Sequence, residues 1–176
     1  MNARAGLRRL ALVTLLALSA CASNVTRTDA PGAIREPVRA LRVFDVTMSP
    51  SSKTQLADNI KFELEALRAM IQRTLETKSL IAADGDFEMS VVIDDIRVRS
   101  TFNAVMWGFM AGDDHLNGTV TLSRREGNPV GSFSVKTSWA LGGLAGGQDS
   151  ARMNWLYEEF AKKLTQELIE RRDAKP

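Results

Sequence analysis

The chain has one thiol, Cys21, and one imidazole, His115, among its 176 residues. One Cys cannot form an intramolecular disulfide or a Cys-rich zinc site, and one His cannot form a multi-His metal site. Acid and imidazole stand together only at Asp113-Asp114-His115. Neighbouring side chains at the start of a strand point to opposite faces, so no convergent acid–base site is expected there. Asp94-Asp95 likewise puts one carboxylate on each face, unless an irregularity brings them round. Gly142-Gly143-Leu144-Ala145-Gly146-Gly147 precedes a helix, a place where free N–H groups can hold an anion. It lacks the Lys and Ser/Thr of a phosphate loop, and Asp149 at the helix start repels phosphate. Close backbone packing or a hinge is the better reading. No catalytic residue, metal site or cofactor follows from these residues, and the chain reads as a protein that is not an enzyme.

Cys21 stands in the most informative context. Arg4, Arg8 and Arg9 form a positive start, and Leu10 to Leu18 form an apolar run. The run is short of the roughly 20 residues that a spanning helix needs and fits a signal peptide. Leu18-Ser19-Ala20-Cys21 resembles the bacterial lipobox, which implies a diacylglycerol thioether on Cys21, cleavage before it and acylation of the new N-terminus. A free thiol in an oxidising compartment would be a liability, whereas several acyl chains anchor stably. Ala22, rather than Asp, implies export to the outer membrane. Removing Arg4, Arg8 and Arg9 takes the 23 basic residues to 20 against 21 acidic, a net charge of −1. The basic balance belongs to the precursor, so no nucleic-acid partner is expected.

A second feature is apolar. Phe102, Val105, Met106, Trp107, Phe109 and Met110 crowd a connection between two strands, where polar residues are usual. They either seal the end of the core or form a patch for a partner protein or the lipid interface. Phe102, Met106, Trp107, Phe109 and Met110 are the candidate contact residues.

The elements that carry these features follow from periodicity. Residues 22 to about 40 hold Pro31, Gly32 and Pro37 with no apolar period and read as a flexible tether, with an r.m.s. span of roughly 24 Å. Leu41–Met48 is the first strand. Ser52 and Gln55 form a capping box ahead of one long helix over Lys53 to about Leu80, with Leu56, Ile60, Leu64, Leu67, Ile71 and Leu75 as its apolar stripe. Phe87–Ser100 is a strand whose apolar phase changes, predicting a bulge near Asp94-Asp95. His115–Ser123 and Gly131–Leu141 form a hairpin about Arg125–Pro129. A last helix starts near Asp149 or Ser150 and buries Met153, Leu156, Tyr157, Phe160, Leu164 and Leu168. The order β-α-β-β-β-α gives an α/β two-layer sandwich, a four-stranded mixed sheet with two helices on one face and the other face open. The divisions are 1–20 signal peptide, 21–40 lipidated Cys and tether, and 41–173 a single periplasmic domain.

Trp107-Gly108-Phe109-Met110-Ala111-Gly112 with Leu116, Val120 and Leu122, then Glu126-Gly127-Asn128-Pro129-Val130, the Gly-rich turn and the terminal helix, resemble the domain-of-unknown-function-4410 family of bacterial outer-membrane lipoproteins. The resemblance covers roughly residues 41–170. Met110 stands where the family has Gly, and Ala104, Val105 and Met106 lack its basic residue before the Trp. The family transfers no catalytic residue. The reading is a lipid-anchored outer-membrane lipoprotein, a non-catalytic binding or assembly module of the cell envelope. It meets the membrane through Cys21 and an envelope protein through the apolar loop. The alternative is a homo-oligomer, the subunit of a ring or channel.

Overall fold

In the computed structural model, residues 21–28, 38–58, 61–100, 112–140 and 148–173 are described. Their elements are β1 (Cys21–Arg27), β2 (Leu41–Met48), α1 (Pro50–Gln55), α2 (Leu64–Thr77), β3 (Phe87–Arg97), β4 (Asp114–Arg124), β5 (Pro129–Trp139) and α3 (Asp149–Asp173). The strands make one sheet of order β1-β5-β4-β3-β2. Only β2 and β3 run parallel; the other neighbours are antiparallel.

Alternation along each strand decides what the helices cover. Leu116, Val120 and Leu122 of β4 and Phe133 and Val135 of β5 face α3, whose Leu156, Phe160, Leu164 and Leu168 are fully buried against them. Leu67, Ile71 and Leu75 of α2 close the same layer over β2. Gly118 stands in that buried row because a Cβ there would lie 3.0 Å from both the Phe160 ring and the Val92 carbonyl oxygen. The opposite face carries Ser, Thr and Asn side chains such as Ser90, Asn117, Thr119 and Ser134. It is open, as alternation predicts, and polar.

The architecture departs from the expected four strands and two helices in two places. Cys21 and the first six residues of the expected tether form β1, paired with β5 from Cys21↔Trp139 to Arg27↔Phe133. Their pattern is too polar for periodicity to show a strand. Tertiary partners supply the stability: Val25 packs on the core, Ser23 Oγ donates to Glu159 (2.6 Å), and Arg27 pairs with Glu167 (2.8 Å) and Glu170 (3.0 Å). Burial alone would push the Glu159 carboxyl up, but the Ser23 hydroxyl and the Lys162 ammonium outweigh it and hold the carboxyl below its usual range.

The second departure is the single long helix, which is two helices, α1 and α2. Ser49, not Ser52, caps α1, accepting from the Ser52 N–H, while Ser52 Oγ turns to the Ile93 carbonyl at 2.7 Å. Gln55 does not close a capping box; it accepts from the Ile96 N–H and donates to Asp95. The chain then leaves helical geometry, and the Glu63 N–H donates to the Tyr157 hydroxyl. Both breaks satisfy polar groups across the core, which a one-dimensional stripe cannot show. The bulge in β3 is observed, as a register shift between Ile93 and Asp95.

Candidate functional site

Four strand ends and one helix start meet at one end of the sheet. β1 begins with Cys21, whose Cα partner is Trp139, the last residue of β5; the other partner of Trp139 is Asp114, the first residue of β4. With strands about 4.8 Å apart, Cys21 and Asp114 stand about 10 Å from each other along one line. β3 ends two residues before Arg99 on the far side of β4, and α3 starts at Asp149.

An ionic network joins these ends. The Asp114 carboxylate, fully buried, accepts from the Arg99 N–H (2.6 Å), Arg99 Nε (3.1 Å) and Arg99 Nη2 (3.3 Å), and pairs with Arg152 Nε at 2.7 Å. Arg152, also fully buried, donates to the Arg99 carbonyl (2.6 Å) and to Asp149 (2.9 Å), and Lys61 reaches the other Asp149 oxygen at 2.6 Å. Arg99 donates further to the carbonyls of Gly112 and Trp139. Three cations thus share two carboxylates in a place where an unpaired charge would be costly. Gly112 adopts φ +85°, a backbone that glycine reaches without strain. Trp139 stacks edge-on against Trp155 of α3, with centroids 4.9 Å apart.

On the open face the β3 bulge brings both neighbouring carboxylates to one side. Asp94 accepts from Thr119, and Asp95 from Asn117 and Gln55. His115 lies between Asp95 (Nε2–Oδ2 2.9 Å) and Asp113 (Nδ1–Oδ1 3.5 Å). Asp114 points to the other face, as alternation requires. A convergent acid–imidazole group therefore exists, built from Asp95, Asp113 and His115 by the bulge. A carboxylate on each side of the ring differs from a nucleophile–His–acid triad, in which one ring nitrogen faces the hydroxyl. A groove of about 520 Å³ runs past Gln55, Asp95, Arg97 and His115. Among the described residues no cluster of three or more His, Cys, Asp or Glu is arranged to hold a metal ion. Nor is any described helix long and apolar enough to cross a membrane.

Phe102, Met106, Trp107, Phe109 and Met110 lie outside the described residues, as does the Gly-rich run at 142–147. The segments that hold them leave and rejoin the fold at this end, after Ser100 and before Gly112, and after Ala140 and before Gln148. Of Cys21, the backbone position at the head of β1 is described. Sequence reasoning missed Arg99 and Arg152 and read Asp114 only beside His115. One signal was present: Arg152 stands one turn before Leu156 on the buried stripe of α3, where a cation requires a buried carboxylate.

The family model described as Domain of unknown function (DUF4410) matches residues 17–143. Among curated proteins no relative matches the chain. Two solved structures of a PelC dodecamer from Paraburkholderia phytofirmans are similar to it. One is 15% identical, covers 80% of this chain and 98% of that one, and has a TM-score of 0.41. The other is 14% identical, covers 78% and 98%, and has a TM-score of 0.40. A minor lipoprotein from Acinetobacter baumannii is 12% identical over 72% of this chain and 91% of that one, with a TM-score of 0.34. The assemblies of those proteins are properties of those proteins. The family match, which spans most of the chain, shows that the chain belongs to the DUF4410 family.

Proposed function

We propose that this member of the DUF4410 family is a lipid-anchored, non-catalytic module of the bacterial cell envelope. Acylated Cys21 holds it on the outer membrane, and the end of the sheet at which Cys21 stands meets the bilayer. One observation carries the reading: the Cys21↔Trp139↔Asp114 line puts the attachment residue beside the strand ends that bracket the apolar segment. A tether of roughly 24 Å would have let the domain hang in any orientation. A strand that begins at Cys21 leaves no slack, so the acyl chains start from the end of the sheet where Ser100 and Gly112 stand. Phe102, Met106, Trp107, Phe109 and Met110 are then contact residues for the lipid interface, which suits aromatic and Met side chains. The polar open face and the far hairpin are left for an envelope partner in the periplasm.

In-cell photocrosslinking from position 107, with Glu126 on the far hairpin as control, tests this. Lipid adducts at 107 and not at 126 are expected. A discrete protein band from 107 without lipid adducts returns the apolar segment to a protein partner and refutes the bilayer-facing orientation. Cys21→Ala is expected to abolish incorporation of labelled fatty acid.

One observation favours a second reading, a subunit of a ring. Among the described strands β1 pairs with β5 alone, and an open edge accepts a strand from another copy. A single-chain mass in mild detergent removes that reading.

A further inference from the structure

We propose that Asp45 and Arg68 form an edge guard, which closes the β2 edge of the sheet to a strand from a second copy of this chain. β2 pairs with β3 on one side, and among the described strands it has no neighbour on the other. Such an edge presents peptide N–H and C=O groups to any strand that meets it. The sequence Leu-Arg-Val-Phe-Asp-Val-Thr-Met is rich in the β-branched and apolar residues that favour pairing, and Val43 is 49% exposed on it. The Ser49 N–H donates to the Ile93 carbonyl of β3. In a parallel ladder, residues in step with Ser49 then bond inward, and Phe44, Val46 and Met48 carry the outward peptide groups.

Val46 is the middle one of these three. Its N–H donates to Asp45 Oδ1 at 2.9 Å, and its carbonyl accepts from Arg68 Nη2 at 3.1 Å. The same guanidinium nitrogen pairs with Asp45 Oδ1 at 2.5 Å. Both outward groups of Val46 thus have partners within the chain, an acceptor and a donor such as a neighbouring strand would offer. The two side chains reach the edge from opposite sides. Asp45 alternates onto the open face, while Arg68 comes from α2, which covers β2 on the buried face. Backbone closes the start of the same edge. The Leu41 N–H donates to the Leu80 carbonyl (2.7 Å), and the Leu41 carbonyl accepts from the Ala82 N–H (3.0 Å). Gly85 lets that turn lie close, since a Cβ there would stand 2.8 Å from the Arg42 nitrogen. An exposed ion pair adds little stability by itself, but this one occupies both peptide groups at the centre of an edge. The guard rests neither on the bilayer-facing reading nor on the ring reading.

The test is sedimentation of the full chain in mild detergent at rising protein concentration. It compares the parent with the double variant Asp45→Thr, Arg68→Ala, which removes both members of the pair. The double variant is expected to associate about tenfold more tightly than the parent. Amide hydrogen exchange locates the contact: residues 41–48 of the double variant are expected to gain protection as the concentration rises, and those of the parent are not. If the parent is already a ring, its mass is the baseline, and the guard is read from a further step that protects residues 41–48. A single-chain parent removes the ring reading and leaves the guard to the same comparison. Equal association by the parent and the folded double variant overturns the guard, as does tighter association with unchanged exchange at residues 41–48. Gly118→Val, placed in the core away from this edge, is expected to keep the parent's mass. The same rise there means that association follows lost stability, and overturns the proposal. Asp45→Thr alone carries the test if the double variant does not fold. It frees the Val46 N–H and leaves Arg68 on the carbonyl, so a smaller rise with the same protection is expected, and no rise overturns the proposal.

Discussion

Replacing Asp114 by Asn tests how far this end of the domain depends on one carboxylate. Asn is nearly the same size, so packing is kept. The charge facing Arg99 and Arg152 is lost, and both guanidiniums sit at 2% side-chain exposure or less. Arg152 retains Asp149. Breaking one partner of a buried pair costs about 3–5 kcal/mol, against a total stability of about 5–15 kcal/mol for a typical domain. At roughly 2–4 °C per kcal/mol for a domain of this size, the melting temperature should fall on the order of 10 °C. Thermal and urea unfolding followed by circular dichroism read it, with an unchanged urea slope showing that the folded state stays compact. The triple variant Asp114→Leu, Arg99→Met, Arg152→Met is expected to recover part of the loss, since apolar replacement of a whole buried network is often neutral. A loss within about 1 kcal/mol for Asp114→Asn, the range of an exposed pair, would refute the view that this network holds the strand ends together.

Three further outcomes are expected. Gly118→Val should cost about 1–3 kcal/mol, because its Cβ alone meets the Phe160 ring and a β3 carbonyl at 3.0 Å; equilibrium unfolding reads it. Burial pushes the phenol of Tyr157, the one tyrosine of the chain, from 10.0 up to about 12. The neutral form is favoured in the folded state, so this contribution is present in full below pH 10 and is lost as the pH rises from 10 through 12. A shift of that size is worth roughly 2–3 kcal/mol. Ultraviolet titration reports the single phenol directly, and Tyr157→Phe should remove this part of the alkaline loss. Val25→Asp should undock β1 without melting the sheet, since β1 lies at an edge of the described sheet and Val25 packs on the core; faster tryptic cleavage after Arg27 with an unshifted main melting transition reads it.

Periodicity carried well where one side of an element is buried. The stripe Met153, Leu156, Tyr157, Phe160, Leu164 and Leu168 is buried as spaced, and a phase change in β3 announced its bulge. Those signals are local: 3.6 residues per turn, two per pleat. They failed where distant partners supplied the stability. Among its described side chains β1 has one apolar anchor on the core, Val25, and it is held by Glu159 and Glu167 of α3, more than 130 positions away. The gap between α1 and α2 follows from polar groups of β3 and Tyr157 that satisfy the backbone across the core.

The candidate site divides in the same way. Residue type and order alone single out Cys21 as the lone thiol behind a signal-like run, and mark the segment 102–110 as unusually apolar. The family assignment and the absence of multi-Cys or multi-His chemistry also follow from the sequence. The tertiary structure decided that Cys21 heads a strand, that this strand lies against Trp139, and that Ser100, Gly112, Ala140 and Gln148 stand at the same end of the sheet. It also decided that Arg99, Asp114 and Arg152, dispersed over 54 positions of the chain, share one buried network. The reason is physical: a sequence records which side chains need burial or a counter-charge, but strand order and register determine which of them meet.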